Sequence, residues 1–117
     1  MPVTWIAFDP HTSPYGQWKT IDEFTTSNEI VVIEYRSNER WSSLTACFGL
    51  SHQPEYSDIT FGTVNYRQVR HAAAREDVTM ADTVVVYAYG RQVGQSCKST
   101  PPHPEELIEQ ARRLIVE

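Results

Sequence analysis

The chain of 117 residues is long enough for one domain and too short for two, since domains run to about 100–200 residues each. Hydrophobic residues make up 40% and charged residues 21%, a balance that supports a packed core and excludes a disordered chain. A net charge of −5 and a pI near 5.3 argue against a nucleic-acid partner and against binding to an anionic membrane surface.

In chain order, residues 3–8 form a short β-prone run that ends at Asp9-Pro10. Residues 10–16 hold prolines, a glycine and polar side chains and read as a loop. Trp18, Ile21 and Phe24 recur at three-residue steps, the spacing of one short amphipathic helix. Residues 30–35, Ile-Val-Val-Ile-Glu-Tyr, are a nearly continuous apolar and β-branched run, as in a strand buried on both faces. A polar loop over 37–43 leads into a second short helix carrying Leu44, Ala46, Cys47, Phe48 and Leu50, stopped before Pro54. Ile59, Phe61 and Thr63 mark a third strand. Val69, Ala72 and Ala73 share a helical face, with Arg67, Arg70 and Arg75 expected on a solvated one. Residues 83–89 are a second β-branched run, which Gly90 turns into residues 91–97 as a hairpin. The last segment has the clearest helical signature. Pro104 suits the first helical position, Glu105 and Glu106 suit the positive N-terminal end, and Leu107, Ile108, Ala111, Leu114 and Ile115 form its apolar stripe.

The cysteines, Cys47 and Cys97, stand fifty residues apart. That is too few for a disulfide scaffold and the wrong spacing for a Cys-x-x-Cys pair or a zinc knuckle. The first residues show no basic segment followed by an apolar stretch, and no apolar run approaches the ~20 residues of a membrane span. The expectation is a cytoplasmic, reducing setting with free thiols. The four histidines are scattered without metal-ligand spacing, so neither a metal nor a cofactor is expected.

The order βαβαβαββα across residues 1–117 implies a single α/β domain, a mixed five-stranded sheet with about four flanking helices. It resembles the thioredoxin fold, and the resemblance covers nearly the whole chain. Residues 24–35 are similar to the stretch leading into the thioredoxin active site. Glu55-Tyr-Ser-Asp58 with the following Ile-Thr-Phe-Gly-Thr-Val resembles the third strand and its approach. Thr83-Val-Val-Val-Tyr-Ala-Tyr-Gly90 resembles the fourth strand and its glycine turn. On this resemblance Glu34 matches the family's buried aspartate. Arg40 and Ser43 fall on the two redox cysteines, with Trp41 and Ser42 between them. Thr83 falls on the threonine after the cis-proline, which puts Asp82 on the proline itself.

Disulfide exchange needs a thiolate to attack and a second sulfur to resolve the mixed disulfide, and neither arginine nor serine supplies them. A cis bond before aspartate would cost ~3–4 kcal/mol, against ~0.5–1 kcal/mol before proline. A trans Ala81–Asp82 bond, a reshaped loop and a restored N–H donor are therefore expected. Glu34 has two readings: a desolvated general acid or base, or a satisfied polar group paired with an arginine. Residues 40–43 have three: an anion site at a helix start, a serine cap with Trp41 packed over it, or a protein-contact anchor. Cys47 and Cys97 are expected to serve packing.

The reading these residues favour is a non-catalytic thioredoxin-like binding or scaffold module, without disulfide oxidoreductase activity. Its contact pole comprises Arg40, Trp41, Ser42, Ser43, Ala81 and Asp82, and its partner is another protein or a second copy as a homodimer. The alternative is a non-redox enzyme, of acid–base isomerase or lyase type, using Glu34, Ser43 and Asp82 on a small molecule.

Overall fold

The computed structural model describes residues 3–6, 8, 11–37, 46–97 and 101–116, with the side chains of 46–48 and 116 outside the description. Its elements are β1 (Thr4–Trp5), α1 (Pro14–Thr25), β2 (Ile30–Arg36), α2 (Ala46–Ser51), β3 (Thr60–Asn65), α3 (Arg70–Arg75), β4 (Thr83–Ala88), β5 (Arg91–Cys97) and α4 (Pro104–Val116). Single 3₁₀ turns at Pro54–Tyr56 and Tyr66–Gln68 precede β3 and α3. The five strands form one sheet in the order β1-β3-β2-β4-β5. β1 and β3 run parallel, as do β3 and β2, while β4 is antiparallel to both β2 and β5. This is the mixed α/β architecture expected from the order of hydrophobic runs.

β2 is the middle strand, and all seven of its residues are buried. Its alternation divides the core. Val31, Ile33 and Tyr35 join Ile21 of α1 and Val69, Ala72 and Ala73 around α3. Ile30 and Val32 join Leu50, Phe61 and Val86 with Leu107, Ile108 and Ala111 of α4. Each such aliphatic side chain contributes about 1.5–3 kcal/mol on burial. A half-polar strand could not occupy this position, which is why the run at 30–35 is nearly unbroken in apolar residues.

Three local readings are corrected. The 10–16 loop ends sooner than its prolines implied: Ser13 accepts from the Gly16 N–H at 3.1 Å and Pro14 opens α1. Serine followed by proline is a cap-and-first-turn signal, since proline's missing donor costs nothing at that position. The 3–8 run yields a ladder of only Thr4–Trp5, extended by the Ile6 N–H to Thr63 carbonyl bond at 2.9 Å. Arg75 is not simply solvated, because it pairs with Asp22 of α1 and lies over the Trp18 ring at 5.6 Å. Arg67 and Arg70 are exposed as expected.

Between β4 and β5 the chain turns through Tyr89 and Gly90, at φ 52° and 80°. A two-residue hairpin with both central residues in the left-handed region matches the twist of the strands it joins. Gly94 has a different role. A Cβ there would come within 2.7 Å of the Leu107 side chain, so its absence lets α4 seat closely on β5.

The largest buried side chains on the α1/α3 face are two tyrosines. Tyr35 and Tyr87 are fully buried, and their hydroxyls lie 2.8 Å apart. Tyr87 also hydrogen-bonds the Glu76 carboxyl at the end of α3. Burial raises the pKa of both phenols, so they act as neutral donors and acceptors in series. Tyr87→Phe leaves both Tyr35 and Glu76 short of a partner, whereas Tyr35→Phe leaves the Tyr87–Glu76 bond intact. Stranding a buried polar group costs about 1–3 kcal/mol, so chemical denaturation is expected to rank Tyr87→Phe as the more damaging. Equal losses would contradict this arrangement.

Candidate functional site

The C-terminal end of β2 and the loop entering β4 meet through Asp82. In the β2–β4 ladder the last pair is Tyr35 with Thr83. Asp82, one residue earlier, extends it: its N–H donates to the Tyr35 carbonyl at 2.6 Å. The Ala81–Asp82 bond is trans, as expected, since Pro101–Pro102 is the cis bond among the described residues. The restored donor is thus in use. Asp82 sits at φ 61°, a left-handed conformation that aspartate tolerates better than most residues. Its carboxylate reaches back to Ser37, accepting from the backbone N–H at 3.2 Å and from the hydroxyl at 3.0 Å and 3.3 Å. Thr83 fixes the other side of the loop by donating its hydroxyl to the Met80 carbonyl at 2.8 Å. Ala81 is half-buried, while Met80 is 51% exposed at the loop's outer surface.

Glu34 lies on β2 between Thr63 of β3 and Val84 of β4. It is only 6% exposed, and strand alternation places it on the face shared with Val32, toward α2 and α4. Arg36 follows two residues on, on the same face and equally buried, and neither residue is without a partner. Arg40, Trp41, Ser42 and Ser43 lie outside the described residues, as does the side chain of Cys47, which α2 carries. Cys97, at the end of β5, is a half-buried free thiol. Of the residues singled out from the sequence, the structure thus places Glu34 at the end of β2 and Ala81 and Asp82 in the adjoining loop.

A second polar constellation was missed by sequence reasoning. From the Tyr35–Tyr87 pair a chain runs through Glu76 to Arg75, which pairs with Asp22 at the surface. The Glu76 main-chain carbonyl also accepts from Gln92 at 2.6 Å and Gln95 at 2.9 Å, tying the end of α3 to β5. Only the β2–β4 register brings Tyr35 and Tyr87 together, so no local spacing could have announced the pair. Desolvation raises the Glu76 pKa, against smaller opposing effects of Arg75 and the Tyr87 hydroxyl.

Comparisons with known proteins agree with this geometry. No protein-family model matches the sequence, and no curated protein matches it either. Solved structures do match. The oxidised thioredoxin of Plasmodium falciparum superposes with a TM-score of 0.66 at 19% identity, covering 93% of this chain and 97% of its own. A thioredoxin from Malassezia sympodialis gives 0.65 at 15% identity, over 96% and 90% of the two chains. A Nicotiana alata thioredoxin gives 0.58 at 14% identity, over 99% and 94%. The chain has the thioredoxin fold.

Two outcomes follow from the site. Asp82→Pro would remove the N–H bonded to Tyr35 and force φ toward −65°, away from the observed 61°. A loss of about 2–3 kcal/mol is expected, against about 1 kcal/mol for Asp82→Asn, which keeps the N–H and the tolerance of the left-handed conformation and weakens only the Ser37 bonds. A neutral Asp82→Pro in urea unfolding would contradict the geometry. For Glu76, a folded-state pKa above the unfolded value means that the folded chain holds the proton more tightly. Its stabilising contribution is complete below the unfolded pKa and is lost as pH rises through the folded one. Glu76→Gln should therefore flatten the decline in stability between mildly acidic and neutral pH, and should raise Tm at pH 7. An unchanged pH profile would count against this role.

Proposed function

We propose that the chain is a binding module on a thioredoxin fold, without disulfide oxidoreductase activity. It meets a protein partner at the end of the sheet that carries the Met80–Ala81–Asp82 loop, the end to which the thioredoxin resemblance assigns residues 40–43. The observation that carries this reading is the internal use of Asp82. Both its main-chain donor and its carboxylate are committed within the loop, to Tyr35 and Ser37. That makes the loop a fixed surface, with Met80 as its exposed apolar contact. Exposed methionine is adaptable contact material at protein interfaces. The sequence supports the loss of redox chemistry, because the thioredoxin resemblance puts Arg40 and Ser43 where two thiols would have to stand. A reducing, cytoplasmic setting fits Cys97 as a free thiol.

The competing reading, a non-redox enzyme using Glu34, Ser43 and Asp82, draws on the burial of Glu34. It also needs Asp82 as an available acid or base, and that carboxylate already accepts bonds from Ser37. In an insulin-reduction assay with NADPH and a thioredoxin reductase, the chain should show no turnover above background, and thioredoxin-like rates would sink the proposal. Affinity capture from native lysate should retain a partner with the wild type and with a variant altered at the opposite end, Tyr89→Asn. Met80→Glu and Trp41→Ala should each lose it. Capture indifferent to both pole variants would move the interface elsewhere.

A further inference from the structure

β5 is an outer strand of the sheet. Among the described residues no strand pairs with its outer side, and an unpaired strand edge is a template for another. Among the described residues the opposite edge offers the two residues of β1, extended by Ile6. Over β5 lies a shallow groove of about 500 Å³ lined by Ala88, Tyr89, Arg91, Gln92, Val93 and Leu114. Tyr89 is 58% exposed and Leu114 is 56% exposed. This end is remote from the Asp82 loop, because Tyr89 and Arg91 lie at the β4–β5 turn whereas Asp82 precedes the start of β4.

We propose that this face, β5 with the flank of α4 above it, is the contact surface of a homodimer. The occupant is a second copy of this chain, its β5 antiparallel to the first across a two-fold axis perpendicular to the sheet. The charge pattern of α4 carries the choice of occupant. Leu107 meets Gly94, and Leu114 lies beside Arg91 and Val93, so α4 runs antiparallel to β5. Arg112 bonds Asp58 and lies over Tyr56, which sets that flank toward the approach to β3. Glu106, Gln110 and Leu114, spaced at i, i+4 and i+8, share the other flank and are all exposed, as is Arg113. A two-fold axis beside Gln110 sets Glu106 of each copy against Arg113 and Leu114 of the other. Acidic and basic ends then meet twice, with the apolar Leu114 between them.

The spacing is right for contact. α4 packs over both β4 and β5. α4 lies more over β4 than over β5, so with strands ~4.8 Å apart a second β5 beside the first puts the two α4 axes about 10–14 Å apart, a gap that the side chains of the facing flanks span. The same axis falls near Val93, so Arg91 lies opposite Gln95 of the other copy and not opposite its own kind. β5 has no acidic residue to repel a second β5. The ladder shift between Val86 and Tyr87 leaves Val93 as an extra residue and twists the edge. The paired ladder is therefore short, and the dimer is weak and reversible. It leaves the Met80–Asp82 pole free and does not rest on the function proposed above.

Sedimentation velocity under reductant, from about 5 μM to about 1 mM, tests this. The wild type should move from 13.4 kDa toward twice that mass as concentration rises. Leu114→Glu should remain monomeric with an unchanged circular dichroism spectrum. Glu106→Arg and Arg113→Glu should each raise the dimer Kd about ten-fold, and the double swap should return it to within about three-fold of the wild type. A wild type that stays monomeric throughout overturns the proposal, even if an added extended peptide binds the groove. So does a dimer that tolerates Leu114→Glu, and so does a double swap that is additive instead of restorative.

Discussion

The structure depends on β2 being buried on both faces and bonded along both edges. Six of its seven residues pair with β3 on one side and six with β4 on the other, and each of its faces supplies one of the two hydrophobic layers. A strand in that position has no water to satisfy stray polar groups, so every donor and acceptor near its end must find a protein partner. The polar residues clustered at its C-terminal end, Glu34, Arg36 and the Tyr35 hydroxyl, make that requirement most severe where the sheet meets the connecting loops.

Two devices answer the requirement for Tyr35. On the main chain, the Asp82 N–H caps the Tyr35 carbonyl just beyond the last ladder pair, and the Asp82 carboxylate returns to Ser37. On the side chains, the Tyr35 hydroxyl passes its need to Tyr87, Tyr87 to Glu76, and Glu76 to Arg75 at the surface. Each step moves polarity outward from a region that cannot hydrate it. A proline at position 82 could serve neither purpose, because it has no N–H and no carboxylate. The loop entering β4 is consequently built around hydrogen bonds that this aspartate makes, and its exposed face is left to Met80.

The two ends of the sheet also differ in character. At one end the Met80–Asp82 loop is locked by internal bonds and presents a single large apolar side chain. At the other, Tyr89, Val93 and Leu114 surround a groove beside an open strand edge. These are separate surfaces on one small domain, and occupation of one does not block the other. With α4 antiparallel to β5, its charge asymmetry is placed along the open edge, where a second copy would meet it in reverse.

Much of this was legible from residue order. The nearly unbroken run at 30–35 marked β2 as central because only a doubly covered strand needs such a run. Pro104 with two following glutamates marked the start of α4, and the turn at Gly90 was clear because few residues accept a positive φ. The fold class and the trans Asp82 bond followed from local chemistry of this kind. The start of α1 is hidden in residue order, because Pro10 and Pro14 have the composition of a loop and Ser13 is a cap only once Pro14 takes the first helical position. The Tyr35–Tyr87–Glu76 chain, the pairing of Arg75 with Asp22, and the return of the Asp82 carboxylate to Ser37 were not legible at all. Those contacts join residues far apart in the chain. The sequence by itself determined which segments must be buried, because period and β-branching are local properties. Only the tertiary structure decided which buried polar groups meet, because register and crossover, not spacing, bring them within hydrogen-bonding distance.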